Sequence, residues 1–123
     1  MPTTHAILDA GCTERQLQDW LIDVARWLGW RAVHFRPARV VIKGRESWRT
    51  AVQGDGKGFP DTILARGTRL LVVECKRLQA PRPNAEQTSW LDAFRSVGAE
   101  VYELRPLART GVVGQAEMLE VLG

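Results

Sequence analysis

The stretch Pro60-Asp61-Thr62-Ile63-Leu64-Ala65-Arg66-Gly67-Thr68-Arg69-Leu70-Leu71-Val72-Val73-Glu74-Cys75-Lys76 decides the fold. Asp61 to Arg66 reads as one strand and Arg69 to Lys76 as another. Gly67-Thr68 suits the two-residue hairpin loop between them, with its glycine first. In that loop position 66 faces 69, and the same register sets Asp61 opposite Glu74. Directly opposed Cβ atoms sit roughly 4.5–5.5 Å apart, where like charges are destabilising. Glu74 and Lys76 are two residues apart and leave the strand on one face. Leu71, Val73 and Cys75 point the other way, into a core. One patch thus holds two carboxylates and one ammonium. A divalent cation accounts for such a pair, because hard cations such as Mg²⁺ take one or two carboxylates together with water and phosphate oxygens.

Upstream, Thr13 and Gln16 form a T-x-x-Q capping box. Leu17, Leu21, Val24 and Leu28 then recur at helical spacing, and Gly29 ends the helix. Trp30 to Phe35 reads as a first strand, closed by Pro37. Val40-Val41-Ile42 suits a short strand, and Gln53 to Gly58 a loop. That loop does not fit a phosphate-binding P-loop, which requires G-x-x-x-x-G-K-[ST] before a helix. Downstream, Arg77 to Pro83 is a loop. Asn84 caps a second helix with Gln87 at its third position, and Leu91, Phe94 and Val97 carry its apolar face up to Gly98. Glu100 to Leu104 is a last strand, and Gln115 to Leu122 a short terminal helix. The order predicts an α/β fold with one mixed sheet flanked by helices.

With 123 residues the chain fits a single domain, 1–123. Its core lies at about 13–106, a basic insertion at about 37–58, and the terminal helix at about 115–122. No apolar run reaches the length of a membrane span, and the N-terminus lacks a secretory pattern, so a cytoplasmic protein is expected. Cys12 and Cys75 are too few for a disulfide framework or a zinc site. The net charge of +3 is mild, but its distribution is uneven. Arg31, Arg36, Arg39, Lys43, Arg45 and Arg49 face Glu46 alone, which points to a polyanionic partner rather than a small-molecule substrate. Arg36, Arg39, Lys43, Arg45, Arg49, His34 and Lys57 are the candidate DNA contacts. Trp48, between Arg45 and Arg49, is placed to stack on an unpaired base.

For phosphodiester hydrolysis the Asp61, Glu74 and Lys76 set is an intelligible one. A divalent cation polarises a phosphoryl oxygen, activates water and orients its attack. Lys76, flanked by carboxylates, is expected to work as a cation rather than as a base. Glu14 and Gln87 sit in the first turns of their helices, in line with the apolar stripes. Each also has a plain structural reading: Glu14 complements the helix dipole, and Gln87 completes a capping box.

These residues resemble a known family. Gly58-Phe59-Pro60-Asp61, Val73-Glu74-Cys75-Lys76 and Gln87-x-x-Trp90-Leu91 look like the VRR-NUC branch of the PD-(D/E)XK nuclease superfamily. Thr13-Glu14-x-x-Leu17-Gln18 and Gly98-x-x-Val101 match the same pattern, so the resemblance spans roughly residues 13–106. It implies a restriction-endonuclease-like core with a mixed four-stranded sheet in αβββαβ order. It further implies Mg²⁺ or Mn²⁺ bound by Asp61, Glu74 and the backbone carbonyl of Cys75. Lys76 would be catalytic, Glu14 would reach the metal directly or through water, and Gln87 would support the site. Stand-alone members are similar to homodimeric enzymes of phages and bacteria that resolve Holliday junctions, and larger relatives act on flaps in DNA repair. The 37–58 insertion departs from the pattern. The expected activity is a metal-dependent DNA endonuclease. A DNA-binding accessory subunit and a restriction-type enzyme are the alternatives.

Overall fold

A computed structural model describes residues 11–35, 38–42, 44–49 and 54–123, with the backbone course alone at 38–42 and 45–49. The elements are α1 (Glu14–Trp27), β1 (Arg31–His34), β2 (Ala38–Ile42), β3 (Arg45–Arg49), β4 (Thr62–Arg66), β5 (Arg69–Cys75), α2 (Ala85–Ser96), β6 (Glu100–Leu104) and α3 (Gln115–Leu122). The main sheet runs β1-β4-β5-β6, and β2 and β3 form a separate two-stranded sheet.

β4 and β5 are the hairpin read from the sequence, with Arg66 opposite Arg69 and Thr62 opposite Val73. Gly67 has φ 59°, the positive value that a primed hairpin turn needs at its first position. β1 adds antiparallel to β4 and β6 adds parallel to β5. A parallel neighbour needs a long crossover, and the segment carrying α2 supplies it. Leu71 through Cys75 are all buried, as a central strand covered on both faces requires. Leu71, Val73 and Cys75 pack with Leu17, Leu21, Val24 and Ala25 of α1 and with Met118 and Leu122 of α3. Val72 and Glu74 leave by the opposite face.

Both capping boxes form. Thr13 Oγ1 accepts from Gln16 N at 3.0 Å, and Asn84 Oδ1 accepts from Gln87 N at 2.9 Å. At the turn end of the hairpin, Trp30 lies beneath two guanidinium groups, those of Arg66 at 4.5 Å and Arg69 at 5.0 Å. Arg66 also donates to the carbonyls of Leu28, Leu122 and Gly123, and Trp30 Nε1 to that of Leu122. Cations there satisfy the open carbonyls at the C-terminal ends of two helices. These two arginines are committed to structure at the end of the sheet away from Asp61.

Three sequence expectations change. Val97 is 79% exposed. It is the C-cap residue of α2 and lies past the stripe that Leu91 and Phe94 carry. The sequence pattern does not predict β3. Arg45-Glu46-Ser47-Trp48-Arg49 has no apolar alternation, yet it pairs with β2 from Ile42↔Arg45 to Ala38↔Arg49. The strands β4 and β5 stop one residue short at the site end, leaving Asp61 and Lys76 just outside the ladder. Among the candidate DNA contacts, Arg36 and Lys43 lie outside the described residues, as do the side chains of Arg39, Arg45 and Arg49.

Gly58 shows how tightly the 54–60 loop meets α2. Its φ is 79°, and a Cβ there would lie 2.6 Å from the carbonyl carbon of Glu86. Gly58→Ala is expected to lower the urea midpoint. The left-handed backbone alone costs about 1–2 kcal/mol for a residue with a Cβ, and the backbone clash adds to it. A midpoint equal to wild type would contradict this packing.

Candidate active site

Pro60 is fully buried, and Phe59 anchors the approach to it. The Phe59 ring stands edge-on to Phe35, Trp90 and Phe94, with centroids at 5.6, 5.0 and 5.9 Å. Trp90 Nε1 donates to the Asp55 carbonyl at 2.8 Å, so α2 holds both ends of the loop. Asp61 then enters the sheet, its carbonyl accepting from Phe35 N at 2.8 Å.

Three donors converge on the Asp61 carboxylate. Thr62 Oγ1 reaches Oδ1 at 2.7 Å, and Cys75 N and Gln18 Nε2 reach Oδ2 at 3.0 and 3.3 Å. Glu74 is only 3% exposed and lies in hydrogen-bond contact with Asp61. Its Oε2 is buried with no hydrogen-bond partner among the described residues. The register drawn from the two-residue turn thus brings the carboxylates together.

Burial lifts both carboxyls. Glu74 is pushed up to about 9, first by burial and then by the charge of Asp61, with Lys76 pulling the other way. Burial raises Asp61 too, against the lowering effect of its hydrogen bonds from Thr62, Cys75 and Gln18. Two close carboxylates do not both ionise readily. Asp61, with three donors, keeps the negative charge, and Glu74, with an unpartnered oxygen, keeps the proton. Glu14 belongs to the same electrostatic group. Its carboxyl is raised by burial and by Asp61, and drawn down by Lys76 and Arg77.

Lys76 N donates to the Leu104 carbonyl at 2.9 Å, and its Nζ donates to Gln87 Oε1 at 3.2 Å. That same oxygen accepts from Asn84 N at 2.9 Å. The structural and functional readings of Gln87 therefore coincide: one amide oxygen caps α2 and orients the lysine. Asp61, Glu74, Lys76, Glu14 and Gln87 come together, with the Cys75 backbone between Glu74 and Lys76. His34 lies on β1 opposite Thr62, one residue from Asp61. Lys57, at the outer face, pairs with Glu86 at 3.3 Å. Sequence reasoning places Gln18 only in the Thr13-Glu14-x-x-Leu17-Gln18 pattern and assigns no site role to it or to Thr62. Gln18 is buried and follows Glu14 by four, which puts the two on one helical face.

The donors suit a hard cation. Among the described residues no three His, Cys, Asp or Glu side chains converge as a metal-binding group. The Asp61 and Glu74 carboxylates are the oxygen donors that remain, and Mg²⁺ commonly binds through one or two carboxylates with water completing the set. The unpartnered Glu74 Oε2 is the atom a cation would satisfy.

A scan of the sequence against protein-family models gives no match, and a search of curated proteins gives none. The fold is more informative. A solved structure titled "VRR_NUC domain" superposes with a TM-score of 0.52, covering 90% of this chain and 95% of that one at 19% identity. Among the described residues the architecture is restriction-endonuclease-like, a mixed four-stranded sheet with three helices and a separate two-stranded sheet. The chain has the fold of a VRR-NUC domain.

The lifted Glu74 carboxyl makes stability depend on pH. The fold favours the protonated form, so this contribution is complete below the ordinary carboxylate range and is lost as pH rises through about 9. In chelator, the melting temperature is expected to fall as pH rises toward 9, and Glu74→Gln to remove most of that slope. Equal slopes for the two proteins would contradict the assignment of the proton to Glu74.

Proposed function

We propose that the chain is a divalent-metal-dependent nuclease that hydrolyses DNA phosphodiester bonds. The observation that carries this is the buried, unpartnered oxygen of Glu74 beside Asp61 and Lys76. The likeness in fold to a structure titled as a VRR_NUC domain supports it. Asp61, Glu74 and the backbone carbonyl of Cys75 would hold Mg²⁺ or Mn²⁺, which when bound polarises the phosphoryl oxygen and activates water.

The protein's own groups do the rest. Gln18, Thr62 and the Cys75 amide aim Asp61 before any ligand arrives, so no reorganisation is needed at the moment of reaction. Glu74 would have to give up its proton for a cation to bind, which would make cation affinity rise with pH. Lys76, held by Gln87, offsets charge that builds on the phosphoryl oxygens and positions the attacking water. Glu14, at the rim and coupled to Asp61, acts on the site through water. The arginine-rich 36–49 segment, with His34 and Lys57, supplies contacts to the DNA backbone, a job suited to planar guanidinium groups.

Branched DNA is the proposed substrate and a homodimer the proposed working form. A junction offers two equivalent strands, and a two-fold dimer places two sites symmetrically.

The test is cleavage of linear duplex, single strand, flap and four-way junction with Mg²⁺, Mn²⁺ or chelator. Cutting is expected with either metal and not in chelator, and strongest on a branched substrate. Asp61→Ala and Lys76→Ala should each lower kcat by about 10²–10³, the range for loss of a transition-state charge partner. Absence of metal-dependent cutting on every substrate, or full activity in Asp61→Ala, would overturn the proposal. DNA binding without cutting would favour an accessory subunit.

A further inference from the structure

Arg105 is the bulkiest fully buried side chain among the described residues. A buried cation is costly unless it is paired and hydrogen-bonded, and this one is. Its Nε donates to Glu103 Oε2 at 2.6 Å. Its Nη1 donates to the carbonyls of Arg77 at 2.9 Å, Leu78 at 3.4 Å and Ala80 at 2.7 Å, and Nη2 to that of Pro81 at 3.1 Å. Four carbonyls from five consecutive residues thus converge on one guanidinium.

Those carbonyls belong to the loop that joins Lys76 to Asn84. Pro81 and Pro83 have no N–H to offer, and within 77–83 the backbone makes a single internal bond, Ala80 N to Arg77 O at 3.1 Å. No ladder holds this segment, so its course depends on Arg105. At one end stands Lys76, tied by its amide to Leu104, the residue before Arg105. At the other stands the Asn84–Gln87 capping box, whose Gln87 oxygen meets Lys76 Nζ. Whether lysine and glutamine meet depends on the path between them.

We propose that Arg105 is a positioning residue: it fixes the 77–81 loop so that the cap of α2 delivers Gln87 to Lys76. Its effect on cleavage rests on the nuclease reading; its effect on the loop does not. A lysine in its place keeps the charge but not the planar fork, and a single ammonium cannot serve four carbonyls set around a guanidinium.

The test uses the full chain as wild type, Arg105→Lys, Gln87→Ala and the double variant. The first readout is amide hydrogen exchange in chelator. Arg105→Lys should speed exchange at Ala80, Asn84 and Gln87 while β4 and β5 stay protected. The second is cleavage kinetics. Arg105→Lys should lower kcat by about tenfold or more at unchanged KM, within the 10²-fold that a misplacement of about 1 Å can cost. In the Gln87→Ala background the same change should cost less than about twofold, since both act through Lys76. Unchanged exchange in the loop, or an undiminished loss in that background, overturns the proposal. If the wild type cuts nothing, the nuclease reading fails and exchange alone decides the role of Arg105. If Arg105→Lys does not fold, Glu103→Gln, which weakens the same guanidinium's anchor, carries both readouts with smaller expected changes in the same direction.

Discussion

Two carboxyl groups held together, one buried and the other half-buried, are the constraint around which this molecule is arranged. Asp61 and Glu74 sit at the open end of the central hairpin in hydrogen-bond contact, where ionising both is unfavourable. The surroundings separate their roles. Asp61 receives a hydroxyl, a backbone amide and a side-chain amide, all of which favour its charged form. Glu74 receives no donor at Oε2 among the described residues and is left with the proton. A fold shaped for stability alone would place apolar side chains here. That it keeps two carboxyls and a lysine is the strongest sign of chemistry in the chain.

The rest of the architecture keeps that end of the hairpin in place. At the turn end, Arg66, Arg69 and Trp30 tie the sheet to the C-terminal ends of α1 and α3. On one flank, Phe59 and its three aromatic neighbours fasten the loop that delivers Pro60-Asp61. On the other, Arg105 gathers the loop beyond Lys76. Charged residues here divide by their partners: arginines that meet helix ends and loop carbonyls serve the frame, and Lys76 serves the site. Gln87 belongs to both, because one oxygen accepts from the helix cap and from the lysine.

Much of this was legible in the sequence, for identifiable reasons. A two-residue turn leaves no freedom of register, so Gly67-Thr68 was enough to place Asp61 beside Glu74. The capping boxes at Thr13–Gln16 and Asn84–Gln87 are local motifs and formed as read. Contacts between distant segments were not legible. Gln18 reaches Asp61 across 43 positions of sequence, and nothing local separates it from an ordinary helix-face glutamine. Arg105 followed a strand and preceded a proline, where an exposed arginine is the default. β3 pairs with β2 along its backbone, but its sequence carries no apolar alternation, so a search for alternation could not find it. Val97 has the spacing of the α2 stripe, but the helix ends there and leaves it exposed.

The decisive observation is direct sight of the cation. Crystals grown with Mn²⁺ and measured for its anomalous scattering should show density between the Asp61 and Glu74 carboxylates, within coordination distance of the Cys75 carbonyl. Glu74 Oε2 would then be a ligand rather than an unpartnered atom. No density at that point, or density bound only elsewhere on the chain, would contradict a carboxylate pair built to hold a metal.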